Sequence, residues 1–262
     1  MQSSITRTLR LSVFSLLFTL LFTLPASAEE CLTMPVIENS KMGYINAHGE
    51  PAGTHWEFLT AIEKRSGVCI HKVLLPIPRL WSAIELGDVD GGIVFRSAKR
   101  ESLILPVAKT LNIYNVVLPK AGLTLNNHDD LSGLTIGITR GTQLDDLFDT
   151  ENNYIKVQVN SYEQMVKMLA TGRLDAISGS LNTLITELKK AGFIEAANIA
   201  SPLELGEREQ WLLMSRQSDH LDKLPALAKA TNQLREEGVF EQIMDKYYGK
   251  GWRRLNSSSI SD

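Results

Sequence analysis

Cysteine is scarce in this chain, with two among 262 residues, Cys31 and Cys69, and neither belongs to a CxxC pair. The five histidines are scattered. No group of ligands at zinc-site spacing exists, so neither a metal nor a cofactor is expected. An excess of positive charge is missing too: 27 Lys and Arg stand against 30 Asp and Glu. Nucleic-acid binding needs a concentrated basic face, so nucleic acid is excluded as a partner. No phosphate loop and no recognisable nucleophile–base pair occurs, which leaves enzymatic chemistry without an obvious carrier.

Long apolar runs are also lacking, apart from one near the start. Arg7 and Arg10 precede a largely apolar stretch from Leu11 to Leu24, Pro25 breaks it, and Ala26-Ser27-Ala28 supplies small residues. That order reads as a secretory signal peptide over residues 1–28. The run falls short of the ~20 residues that span a bilayer. Glu29 and Glu30 precede Cys31, so the site does not read as a lipid-attachment box. Cleavage after Ala28 would leave 234 residues with 25 basic and 30 acidic groups, a soluble periplasmic chain long enough for two lobes of about 100 residues. In an oxidising compartment the even cysteine count suggests a disulfide, with two buried free thiols as the alternative.

Short apolar runs alternate with helical patterns, which predicts an α/β protein. Strands are expected at Leu32–Ile37, Cys69–Leu75, Gly91–Phe95 and Ile113–Pro119, then at Leu134–Thr139, Ile155–Val159, Asp175–Gly179 and Gln210–Ser215. Helices are expected at Thr54–Arg65 and Pro78–Leu86, from Thr142 through Phe148, after a capping box at Ser161–Gln164, and at Leu181–Lys190. Two more follow between His220 and Tyr248, divided by Gly238, and residues 255–262 read as a disordered tail. One internal similarity organises these elements: WSAIELGDVDGGIV returns 85 residues later as VKMLATGRLDAISG. Gly87 matches Gly172, Val89 matches Leu174 and Asp90 matches Asp175, so one helix–turn–strand unit occurs twice and two lobes of similar build are implied. Coincidence between two ordinary glycine-capped turns is the plain alternative.

Four ordered segments carry a resemblance that spans nearly the whole exported chain. GEPAGTHWEFLTAIEKRSG (Gly49–Gly67), PIPRLWSAIELGDVDGG with Arg100 beyond it, LSGLTIGITRGTQL (Leu131–Leu144) and EEGVFEQIMDKYYG resemble the bacterial extracellular solute-binding proteins of family 3, the amino-acid-binding type. The resemblance implies a two-lobed periplasmic binding protein-like (type II) fold, with two α/β lobes joined by two hinge strands. Lobe 1 would comprise residues 29–117 and 217–254, and lobe 2 residues 118–216. The strands that begin at Cys31 and Cys69 would lie side by side, within disulfide reach.

In open α/β sheets ligands sit beyond the carboxyl ends of strands. By resemblance, Arg100 would hold a ligand carboxylate through its planar fork. Arg140, Gly141 and Thr142 follow a strand and open a helix, where free backbone N–H groups and the Thr142 hydroxyl would form an anion site. Without a ligand, Thr142 is simply a helix cap. Phe95 and Arg96 follow the third strand, Glu38, Asn39 and Tyr44 follow the first, and Ser180 follows Gly179, so all are candidate ligand contacts. Trp56 and Trp81 sit at apolar helical positions and read as core. Two departures from the family pattern bear on the ligand. Gly92, Ile93 and Phe95 stand where serines are usual, and Ser180 stands where an aspartate for the ligand ammonium is usual. The expectation is a monomer that binds a small carboxylate solute in which an α-amino group is optional. Its partner would be an inner-membrane ABC transporter of the amino-acid type. A sensory receptor is the alternative partner. A less favoured reading is an enzyme like the cyclohexadienyl dehydratases, with Glu38 or Glu207 as its acid.

Overall fold

The computed structural model describes residues 30–39, 41–96, 100–250 and 252. The expected signal peptide and the tail of residues 255–262 lie outside the described residues.

The first half of the molecule is built on β1 (Leu32–Ile37) and β4 (Ile70–Leu75), paired in parallel with Leu32 opposite Ile70. Five of the six residues of β1 are buried, as expected of a parallel strand covered on both faces. Between them lie a minimal hairpin, β2 (Tyr44–Ile45) and β3 (Pro51–Ala52), and helix α1 (Thr54–Ser66). Phe58, Leu59 and Ile62 of α1 are fully buried, at the i, i+1 and i+4 spacing of one helical face. Helix α2 (Ile77–Leu86), with Pro78 in its first turn, leads to β5 (Gly91–Phe95).

The chain returns to this half at its end. Helices α6 (Leu224–Glu236) and α7 (Val239–Tyr248) put Leu227, Leu234, Phe240 and Met244 into the same core as Leu32, Met34 and Phe58. The Phe58 and Phe240 rings meet at 4.8 Å and 60°; burying a phenylalanine of this kind contributes about 1.5–3 kcal/mol. The expected disulfide is present: Cys31 and Cys69 are bonded, with Cα atoms 4.6 Å apart at the start of the paired strands.

The second half has its own apolar cores. Strands β7 (Thr135–Thr139) and β8 (Ile155–Val159) pair in parallel, and β9 (Ala176–Ser180) joins β7 on the other side. Helix α4 (Tyr162–Ala170) begins at the expected cap, where Ser161 Oγ accepts from the Gln164 N–H and Gln164 Oε1 accepts from the Asn160 N–H. Its Met165, Val166 and Leu169 pack with Leu181, Leu184 and Leu188 of α5 (Leu181–Ala191).

Two long strands run through both halves. Strands β6 (Ile104–Pro119) and β10 (Leu203–Ser215) pair antiparallel, within a six-stranded order of β5-β10-β6-β9-β7-β8. Residues Gln210 to Met214 of β10 pair with β5 at one end, and Asn115 to Pro119 of β6 pair with β9 at the other. Between these ends Asn112–Tyr114 pairs with Glu207–Glu209. Register shifts at Glu204/Gly206, Gln210/Trp211 and Leu212/Leu213 bend this ladder.

The internal repeat is realised down to its hydrogen bonds. Gly87 and Gly172 both end their turns in the left-handed region, at φ 76° and 72°. The Asp90 N–H donates to the Thr33 carbonyl at 2.8 Å while Asp90 Oδ2 accepts from the Thr33 N–H at 2.7 Å. Asp175 makes the same reciprocal pair with Thr135, at 2.8 and 3.0 Å. Each aspartate stitches a new strand to the first strand of its own half.

One expected helix is displaced. It does not start at Thr142; α3 spans Asp146–Thr150, with Asp145 as its cap. Asp145 Oδ2 accepts from the N–H groups of Leu147 and Phe148, and Asp149 Oδ2 accepts from that of Leu144. Two carboxylates thus satisfy the donors at the helix start that the threonine was expected to cap.

Candidate functional site

A cavity lies where the two halves face each other. The first half contributes Ile37, Met42, Ile77, Trp81, Phe95 and Arg100. The second contributes Gly141, Thr142, Gln143, Tyr162 and Ser180, and Gln210 enters from β10. A water-sized sphere can be centred over about 50 Å³ of this space, room for a few waters or one small polar group.

Each side chain is there for a local reason. Thr139 ends β7, and the chain turns tightly as the Thr142 N–H donates back to the Thr139 carbonyl at 3.1 Å. Gly141 holds φ 82° in that turn, and a β-carbon there would lie 3.4 Å from Ile77 and 3.7 Å from Trp81. A side chain at this position would be strained by that φ, and its β-carbon would already be in van der Waals contact with the opposite half. Asn115 pins the loop from behind, donating to the Leu144 carbonyl at 3.1 Å. Gly179 makes room for Tyr162: a β-carbon would fall 2.6 Å from the tyrosine hydroxyl oxygen.

Arg100 supplies the charge. Its guanidinium sits 4.0 Å from the centroid of the Trp81 ring and donates to the Gly141 carbonyl at 3.2 Å, so it bridges the two halves. Burial lowers its pKa from the ordinary arginine value, with Glu85 opposing, and arginine remains a cation under such perturbation. Among the described residues lining this cavity, Arg100 is the one that carries charge. Thr142 Oγ1 is buried without a hydrogen-bond partner. The Tyr162 hydroxyl is pushed up to about 12, chiefly by burial and then by the charge of Glu187, while the Ser180 backbone and Thr139 pull the other way. It is a neutral donor at any physiological pH.

A second chamber adjoins the first through Ile77 and Tyr162, which line both. By the same measure it offers about 450 Å³. Glu38, Asn39 and Tyr44 line it together with Thr139, Glu187 and Lys190.

The sequence candidates therefore fall into three groups. Arg100, Thr142, Phe95 and Ser180 meet in the inner cavity, and Glu38, Asn39 and Tyr44 meet in the outer chamber. Arg140 and Arg96 join neither. Arg140 is exposed, its N–H spent on the Val159 carbonyl. Arg96 faces an outer groove, paired with Glu101 at 3.0 Å and lying 5.1 Å from the Trp211 ring, while its carbonyl accepts from Arg208. The cavity also holds lining residues outside the sequence candidates, among them Trp81, Gln210 and Tyr162. Trp81 reads as core from its helical spacing and is buried, while one face of its ring meets Arg100. Gln210, a lone amide at the head of an apolar run, was a signal that went unused. Tyr162 was hidden as the first residue after a helix cap.

No family model matches the chain. A probable amino-acid-binding protein of Bacillus subtilis, YxeM, is 23% identical over 214 residues, 78% of each chain. Among solved structures, the substrate binding protein of an amino acid ABC transporter superposes with a TM-score of 0.69 at 19% identity, covering 84% of this chain and 99% of that one. A histidine kinase sensor domain with similarity to periplasmic binding proteins gives 0.66 at 18%, covering 84% and 96%. The chain thus has the two-lobed α/β fold of the periplasmic binding proteins, and its relatives in sequence are named as amino-acid-binding proteins.

Proposed function

We propose that this protein is exported to the periplasm, where it closes its two lobes around a small carboxylate solute and delivers it to a membrane transporter. The observation that supports this reading is that Arg100, the one charge among the described lining residues of the inner cavity, lines with the unpartnered Thr142 hydroxyl a space walled largely by apolar groups. A planar guanidinium holds a carboxylate through two parallel charge-assisted bonds. Lobe 1 of residues 29–117 with 217–254 and lobe 2 of residues 118–216 are joined through the paired segments Asn112–Tyr114 and Glu207–Glu209. Two extended strands of this kind permit hinge closure with little repacking in either lobe.

The likeness to a sensor domain favours one second reading, in which the closed form is read by a membrane receptor. The dehydratase-like reading has less support. Glu38 is exposed in the outer chamber, and Glu207 is exposed on the hinge, where it accepts from Asn112 at 2.7 Å.

A thermal-shift screen of amino acids, their deaminated analogues, organic acids and oligopeptides tests the reading. A ligand at ~100 times its dissociation constant stabilises by about 2.7 kcal/mol, which raises the melting midpoint by roughly 5–10 °C at this chain length. Shifts confined to carboxylates are expected; shifts from uncharged solutes alone would reject the carboxylate site.

A further inference from the structure

The second chamber holds a charge that the inner cavity does not explain. Glu187, on α5, is 5% exposed and its side chain lines this chamber. No described residue forms an ion pair or hydrogen bond with its carboxylate. Its neighbours in the lining are differently placed. Glu163 is paired with Lys167 at 2.6 Å, and Glu38 is exposed to solvent. Lys190 is exposed and makes no ion pair with Glu187, although it lies three residues further along the same helix. A carboxylate withdrawn from water without a counter-charge is unfavourable, and a cation delivered from outside relieves it.

We propose that Glu187 receives a cationic group of the same solute whose carboxylate is held by Arg100. This rests on the carboxylate reading above and deepens it into a ligand class: a carboxylate with its ammonium or guanidinium at the far end of a chain. Three observations combine in it. The inner cavity has no acid among its described lining residues, and Ser180 stands at its second-lobe wall, so an α-ammonium beside the bound carboxylate finds no counter-charge there. The acid that is buried lies in the neighbouring chamber. Ile77 and Tyr162 line both spaces, so the two adjoin across a largely apolar boundary that an aliphatic linker would have to span.

Calorimetry with a ladder of paired probes tests this. Each of 4-aminobutanoate, 5-aminopentanoate and 6-aminohexanoate is compared with the fatty acid of equal length. At least one ω-amino acid is expected to bind about tenfold or more tightly than its partner. Glu187→Gln should bring that ratio close to one with the fatty-acid affinity little changed, and Glu187→Asp, which keeps the charge, should restore part of it. The proposal is overturned if no ladder member gains from its ammonium, or if the gain survives Glu187→Gln. An Arg100→Ala arm separates the two readings. If it leaves fatty-acid binding unchanged while Glu187→Gln still removes the ammonium gain, the carboxylate site falls and the cation site stands.

Discussion

The central carbon of the Arg100 guanidinium lies over the Trp81 ring, 4.0 Å from its centroid. A ring at this distance supports the cation and contributes about 0.5–2 kcal/mol. Trp81→Leu keeps an apolar side chain and removes the ring. Carboxylate affinity is expected to fall roughly 2- to 30-fold, while the far-ultraviolet spectrum stays unchanged. Undiminished affinity would mean that Trp81 serves the core alone.

Tyr162 lines both chambers, and its ring depends on Gly179. A β-carbon at 179 would come within 2.6 Å of the hydroxyl oxygen and 2.7 Å of the ring, with the backbone at φ 153°. Gly179→Ala is expected to cost about 1–3 kcal/mol of stability through overpacking, read as a lower urea midpoint. Ligand affinity should fall with it. A variant as stable as the parent would show that the ring moves aside freely.

The Cys31–Cys69 bond closes a loop of 38 residues that holds α1 and the β2–β3 hairpin. The chain-entropy account gives about 4 kcal/mol for such a loop. The double variant Cys31→Ser, Cys69→Ser should melt on the order of 10 °C lower. Mass spectrometry of unreduced exported protein should recover the linked peptides.

His55 gives the fold a pH dependence. Its ring is buried, and desolvation lowers its pKa from 6.5 to about 4, with Gln210 opposing. The unfolded chain takes up a proton near pH 6.5 that the folded chain refuses until about pH 4. Stability from the neutral ring is therefore complete above pH 6.5, declines as pH falls, and is fully lost below about pH 4, an upper bound of about 3 kcal/mol. Urea titrations of the parent and His55→Leu should diverge across this window. Parallel curves would place the titration elsewhere.

Much of this was legible because it is local. The Ser161 cap and the twin turns at Gly87 and Gly172 follow from short-range rules of helix ends, whereas the bonds of Asp90 to Thr33 and of Asp175 to Thr135 join residues 57 and 40 positions apart and are seen only in the fold. The cysteine pairing needed the parallel strands that the family resemblance supplied. What escaped notice depends on three-dimensional convergence. Trp81 satisfies a helical apolar pattern equally well whether the outer face of its buried ring meets leucine or arginine. Arg140 and Arg100 look alike as cations beside a turn, and only the path of the chain after Thr139 sends one outward. The helix after Thr142 was misjudged because Asp145 and Asp149 outcompete a threonine as acceptors.

The most direct test of the account is calorimetry on the parent and Arg100→Ala with a carboxylate ligand from the screen and its carboxamide counterpart. Binding through a desolvated bidentate pair predicts that the carboxylate binds the parent more than tenfold tighter than the amide, an effect of about 2–5 kcal/mol. In Arg100→Ala the two should bind with nearly equal, weakened affinity. A preference for the carboxylate that persists undiminished in Arg100→Ala would contradict the account.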